Sequence, residues 1–254
     1  MVTADDSEFG HERGFPERGF RRRILIEPAP GKVCAELEDD YHRMVVSLAH
    51  EDGVVTEVSS EMKRAPWTTC PGAMRQLQQT FTGVALADFI ARGERTSNCT
   101  HLHDLAIFAA AHHAETAPIA YEIFVTDPAM GMRRARIWRN GAAMLDWTLE
   151  HDRIAAPEAL AGLRVTEIGG WIAGQGRDLK EAARILRWAT ILAQGRQMEI
   201  PAHISGEVFA QGNCYTFQPE TAKLATRLAN ADVDFSAPGA APMADRADRF
   251  ADIA

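Results

Sequence analysis

The chain has no run of about 18 consecutive apolar residues, so a membrane-spanning helix is not expected and no membrane partner is implied. It has no CxxC pair. Its four cysteines, at 34, 70, 99 and 214, are spaced too irregularly for a secreted disulfide framework, and none makes the short pair that anchors a zinc site. It also lacks an excess of positive charge. A formal net charge of −8 argues against a broad nucleic-acid surface, because binding phosphates needs a local surplus of Lys and Arg. Near the N-terminus Asp5, Asp6 and Glu8 stand where a signal peptide would be basic and then apolar. These absences together describe a cytoplasmic protein with reduced thiols.

What is present is ordinary for a globular chain that builds a real core: 254 residues, 46% hydrophobic and 24% charged. A short Glu-Arg-Gly-Phe echo at 12–15 and 17–20 reads as part of a mobile N-terminal arm, residues 1–20. The basic run Arg18, Arg21-Arg22-Arg23 reads as the solvated flank of an edge strand. From Arg22 to Ala65, Ile24/Ile26, Val33/Ala35/Leu37, Met44 to Leu48, and Val54-Val55 with Val58 predict three or four strands in an antiparallel meander. The period then changes. Ala73, Met74, Leu77 and Phe81 recur at helical spacing after Cys70-Pro71, and Gly83 ends that helix. Leu86 to Ala91 forms a second short helix, and Ser97 or Asn98 caps a third, with Leu102, Leu105, Ala106, Ala109 and Ala110 on its face. Past Pro118, strands at Tyr121–Val125 and Arg134–Trp138 turn at Asn140-Gly141 into Met144–Trp147, and a long amphipathic helix follows Asp178. The expected fold class is α+β, an antiparallel sheet with helices packed on one face. The expected division is an α+β core over 21–116 holding the candidate site, a second subdomain over 117–235, and a mobile, Ala/Pro/Asp-rich tail over 236–254.

Chemistry-bearing side chains concentrate at two expected helix starts, Cys70 and the run Cys99-Thr100-His101-Leu102-His103-Asp104. Helix N-termini carry unpaired N–H groups and partial positive charge, which would lower a thiol's pKa and favour an anionic ligand. If both starts share one hollow, it would hold a phenolic or anionic small molecule. His101 would be its acid/base and Arg64 its counter-charge. Against this stands plain packing, since Cys is among the most buried residue types. His101 and His103, two apart, cannot face the same way on a helix. Trp67 would place an indole at the mouth of the site, Tyr121 and Tyr215 would hydrogen-bond a phenol, and Asp104 is either a site residue or a first-turn dipole partner. A zinc reading would draw on Cys70, Cys99, His101 and His42, and a Cys–His nucleophilic pair would use Cys99.

Two resemblances follow from these residues. Strands, then Cys70 opening a helix, Gly83, and Cys99 opening an Ala-rich helix resemble the iron–sulfur scaffold (IscU/NifU-like) fold over about Asp39 to Ala111. That resemblance implies metal or cluster binding through Cys70, Cys99 and His101. The scaffold's first cysteine would fall near Asp39 or Asp40, and Asn98 replaces the histidine before Cys99. Over most of the chain, Arg64-x-Pro66, Cys70-Pro71-Gly72-Ala73, Cys99-Thr100-His101-Leu102-x-Asp104 and Gly212-Asn213-Cys214-Tyr215 resemble a bacterial domain-of-unknown-function family associated with phenylcoumaran γ-formaldehyde lyases. This resemblance implies a cofactor-independent carbon–carbon lyase acting on a lignin-derived aromatic dimer. A base takes the phenolic proton, the dihydrofuran ring opens to a quinone methide, and the hydroxymethyl carbon leaves as formaldehyde to give a stilbene. Tyr41 or His42 would accept the γ-hydroxyl proton. A homodimer is expected, with no cofactor and no resident metal.

Overall fold

The computed structural model describes residues 18–237 and 239–251. Eight strands form one antiparallel sheet: β1 (Gly19–Ala29), β2 (Lys32–Asp39), β3 (Arg43–Glu51), β4 (Val54–Arg64), β5 (Ile119–Thr126), β6 (Met132–Arg139), β7 (Ala142–Glu150) and β8 (Arg153–Ala156), ordered β4-β3-β2-β1-β5-β6-β7-β8. Local chemistry dictates the hairpins. Asp52-Gly53 and Asn140-Gly141 both put two successive residues at positive φ, the backbone of the tight hairpin turn whose twist suits antiparallel strands. The helices are α1 (Ala73–Phe81), α2 (Thr100–Ala111), α3 (Gly169–Ala173), α4 (Arg177–Leu192), α5 (Pro219–Ala222) and α6 (Ala247–Ala251). Of these, α1 packs on β4, α2 on β2 and β3, and α4 on β5 to β7, leaving a gap between α2 and α4 above β1. The fold is α+β. Among the described residues no helix is long and apolar enough to cross a membrane.

β1 is central, not an edge strand, because it pairs with β2 on one side and β5 on the other. Its alternation sorts the two faces of the sheet. Phe20, Ile24 and Ile26 join the main core under the helices, whereas Leu25 belongs to a separate cluster on the opposite face. Arg22 has the parity of the core residues and is 2% exposed, so the basic run is not a solvated flank. Segments 21–116 and 117–235 meet at the β1–β5 ladder and share the main core.

Both ends differ from expectation. Residues 1–17 of the expected arm lie outside the described residues, and Gly19-Phe20 already open β1. A Cβ at Gly19 would collide with the Val125 carbonyl, so the strand start needs glycine. The tail, expected to be mobile or to fold on a partner, crosses the outer face of its own sheet. Met243 and Phe250 bury against Leu25 and Ala120. Asp245 pairs with Arg43, and Arg246 pairs with Glu27 and Glu36. Two apolar anchors and four ion pairs, the fourth between Arg249 and Glu27, hold a segment whose composition is otherwise that of a linker.

Candidate functional site

The gap between α2 and α4 is a cavity of about 360 Å³. Its floor is Arg22, Ile24 and Leu37 of the sheet. One wall is His101, His103, Asp104, Ile107 and Phe108 of α2, and the other is Arg184, Ile185, Arg187, Trp188 and Ile191 of α4, with Ile90 and Arg95 from the connecting loop. Most of the helical residues recur at three- and four-residue steps along one face of each helix, and His103, two positions from His101 and bonded to the Gly93 carbonyl, borders the same cavity from its edge. The volume lies in the range of small-molecule sites, and apolar walls with a few converging charged groups are what such sites use.

Beneath the cavity lies a buried polar cluster. The Pro30-Gly31 turn sets the β1–β2 register so that Arg22 faces Asp39. The guanidinium donates to Asp39 Oδ2 from Nε at 3.0 Å and from its terminal nitrogen at 2.5 Å. The other carboxylate oxygen accepts the backbone N–H groups of Tyr41 and His42, both at 2.8 Å, and His42 Nδ1 at 3.1 Å. Complete burial alone would raise the Asp39 pKa, yet the Arg22 charge and the His42 contacts hold it well below the usual carboxylate range. The His42 ring stacks on His101 at 3.9 Å between centroids, and His101 Nε2 lies 3.3 Å from the Arg22 guanidinium. Since arginine only donates, Nε2 is the accepting nitrogen and the proton sits on Nδ1. Burial first, then His42 and Arg22, push the His101 pKa well below its ordinary value, so the ring is neutral at pH 7. His101 reaches the site because it stands in the first turn of α2, N-capped by Cys99.

The thiols behave otherwise than expected. Cys99 caps α2 through its backbone, and its thiol turns into the core toward the Met44 sulfur, 3.9 Å away. Cys70 opens a 3₁₀ turn, Cys70–Gly72, ahead of α1 and contacts Thr216 Oγ1 at 3.4 Å. Burial pushes the Cys70 thiol up to about 11 and Cys99 further still. Desolvation thus outweighs the helix dipole, and the lowered pKa is replaced by a raised one. Neither cysteine lines the cavity. Among the described residues, one group of three or more metal-capable side chains is gathered: Asp39, His42 and His101, with ligand atoms within 4.8 Å of one another. The set Cys70, Cys99 and His101 is not brought together as a donor group.

The remaining candidates are dispersed. Arg64 donates to the backbone carbonyls of Asp39 (2.6 Å), Asp40 (2.9 Å) and Ala231 (3.2 Å), holding the β2–β3 turn in place of serving as a counter-charge in the cavity. Tyr41 sits in that turn near Gly195, its hydroxyl buried without a hydrogen-bond partner among the described residues. Burial and the neighbouring Asp40 raise its pKa, which disfavours a phenolate there. Trp67 packs with Cys70, Ala225, Phe209 and Phe217 in a separate apolar cluster. Tyr121 donates to Glu181, which also engages His112. The Tyr215 ring lies against Gly72. Asp104 stays at the cavity, held by both nitrogens of a two-pronged Arg95 contact at 2.8 and 2.7 Å.

Sequence reading missed Arg22, Asp39 and the α4 wall. The signal was available for the first two: opposite charges on the apolar parity of two strands joined by a short turn. Residues 27–115, about a third of the chain, match a family described as Protein of unknown function (DUF2889). No curated protein matches the chain.

Proposed function

We propose that the cavity binds a phenolic aromatic dimer and that the chain is a carbon–carbon lyase of the phenylcoumaran, formaldehyde-releasing type. One observation carries this reading: a neutral imidazole and a guanidinium, His101 and Arg22, border one apolar cavity of small-molecule size. His101 takes the phenolic proton at Nε2, and the ionised Asp39 nearby offsets part of the penalty that burial, His42 and Arg22 place on the imidazolium. The ring-opening electrons move from the phenolate oxygen through the ring to break the benzylic C–O bond. This leaves a quinone methide and a second phenolate, and the Arg22 guanidinium stabilises such developing oxyanions. Loss of the γ-hydroxyl proton to a base then breaks the Cβ–Cγ bond. Formaldehyde leaves, and the bonding pair becomes the stilbene double bond as the ring regains aromaticity. No electrons are gained or lost overall. The test is incubation with a phenylcoumaran alcohol, read as formaldehyde and stilbene absorbance. His101→Ala is expected to lower turnover about 10²–10⁴-fold, the loss typical of an acid/base group. Absence of both products from the wild-type protein, with this alcohol and with its analogue bearing a distal side-chain carboxylate, would overturn the reading. The proposal includes a cytoplasmic location and a homodimer, checked by cell fractionation and light scattering.

A second reading, a divalent metal centre, is favoured by the Asp39, His42 and His101 grouping. Two imidazoles and a carboxylate suit zinc or ferrous iron, but the ion would compete with the Arg22 guanidinium for Asp39 and His101. About one equivalent of metal in untagged protein, lost in Asp39→Asn, would support it. Metal-free protein that turns over would exclude it.

A further inference from the structure

The cavity holds more positive charge than its own acids balance. Of the guanidinium groups on its walls, Arg22 is neutralised by Asp39 and Arg95 by Asp104. Arg184 has no ion-pair or hydrogen-bond partner among the described residues. Arg187 meets one neutral acceptor, the Thr166 carbonyl at 3.0 Å. Two cations are thus left over in a molecule whose formal net charge is −8. They lie one helical turn apart on the same α4 face, followed by Trp188. Two donors on this wall, Arg187 Nε and the Trp188 indole nitrogen, are buried without an acceptor among the described residues. Buried donors ordinarily find partners, and these two stand on the cavity wall beside the unpaired Arg184, where a ligand's acceptor can reach them. Burial and the nearby Arg95 also lower the Arg187 pKa, as expected of a guanidinium without a counter-charge.

We infer that the α4 wall, Arg184, Arg187 and Trp188, is a carboxylate-binding subsite, and that the aromatic ligand of the cavity is an acid. A guanidinium fork matches the two oxygens of a carboxylate, and an indole N–H adds a third donor. The surrounding Ile107, Phe108, Ile185 and Ile191 side chains suit an aromatic acid better than a strongly hydrated phosphate ester. The subsite deepens the lyase reading and rests on it for the identity of the phenolic end. It places the phenol near His101 and Arg22 and the carboxylate against α4.

The experiment uses the full chain and two probes of the same size, 4-hydroxy-3-methoxycinnamate and the corresponding neutral cinnamyl alcohol, titrated calorimetrically. The acid is expected to bind at least tenfold more tightly. Arg184→Gln and Arg187→Gln are each expected to weaken the acid about 10- to 100-fold while leaving the alcohol unchanged. Arg187→Lys should restore part of the loss. Arg184 is solvent-exposed, so its variant keeps the test valid if an Arg187 variant fails to fold. Equal affinities for acid and alcohol, or an acid preference that survives in the double glutamine variant, would overturn the subsite. Formaldehyde assays with two phenylcoumarans that both keep the γ-hydroxymethyl group, one bearing an alcohol and the other a carboxylate on the distal side chain, separate the two readings. Release without any acid preference removes the subsite and leaves the lyase. Tight, arginine-dependent acid binding without formaldehyde from either compound supports the subsite and removes the lyase.

Discussion

His101 and Asp39 tie the site to pH through opposite charge states. His101 rests neutral in the folded protein, while the unfolded chain takes up a proton near pH 6.5. Below that pH the unfolded state binds the extra proton, so the contribution present above about 6.5 is lost as the pH falls. Asp39, with a depressed pKa, contributes above its unfolded value near 3.8 and loses that contribution in stronger acid. Melting curves should therefore show the wild type losing stability from about pH 6.5 downward. His101→Asn should flatten the upper part of that slope and leave the lower part. An unaltered slope would mean that His101 carries a proton in the fold. The histidine itself was legible in the sequence, because a first-turn imidazole beside an apolar face is a recognisable pattern. His42 was also named from the sequence as a partner of His101, but the turn that delivers it across 59 positions was not legible, because Asp39 builds that turn through three hydrogen bonds of its own.

The strand that matters most is β1. It carries a buried ion pair into the core, and such pairs are costly to break on one side only, about 3–5 kcal/mol when one charge is left alone. Arg22→Met should destabilise the protein by roughly that amount in denaturant titrations, with the double variant Arg22→Met/Asp39→Asn recovering much of it. Equal losses in the single and double variants would show that the pairing is worth little. At a second element, a Cβ on Gly206 would come 2.7 Å from the Ala225 Cβ and 3.1 Å from the Ala222 carbonyl. Gly206→Ala is expected to cost about 1–3 kcal/mol, the usual penalty of overpacking. The strands themselves were readable from alternation and from the Asp52-Gly53 and Asn140-Gly141 turns. The centrality of β1 was not, because a run of three arginines is the composition of an edge. Parity, which groups Arg22 with Ile24 and Ile26, outranks that composition. The helix starts were also readable, but the thiol chemistry inferred from them was not. A helix dipole acts over about one turn, whereas the direction a side chain takes into the core depends on distant strands such as β3.

At the scale of the whole molecule, the tail turns a sheet with one open face into a covered one. Removing residues 238–254 would expose Leu25 and Ala120 and leave Glu27 without its two arginines, Arg246 and Arg249. Burial of Met243 and Phe250 is worth about 1.5–3 kcal/mol each before the cost of ordering the segment. The truncated protein should melt several degrees lower and bind a hydrophobic dye, and unchanged melting would show the segment to be a passenger. Composition concealed this role, since two anchors among many Ala, Pro and Asp residues leave no period to detect. The strand order has an equally concrete consequence. Stretch 27–115 supplies Leu37, His101 and Asp104, whereas Arg22 and Ile24 precede it and every α4 contributor follows it. Excised by itself, that stretch would possess one bank of the hollow and a single floor residue, Leu37, without its opposite bank. A relative that shares nothing beyond this third of the sequence therefore inherits a different chamber, with its own choice of occupant.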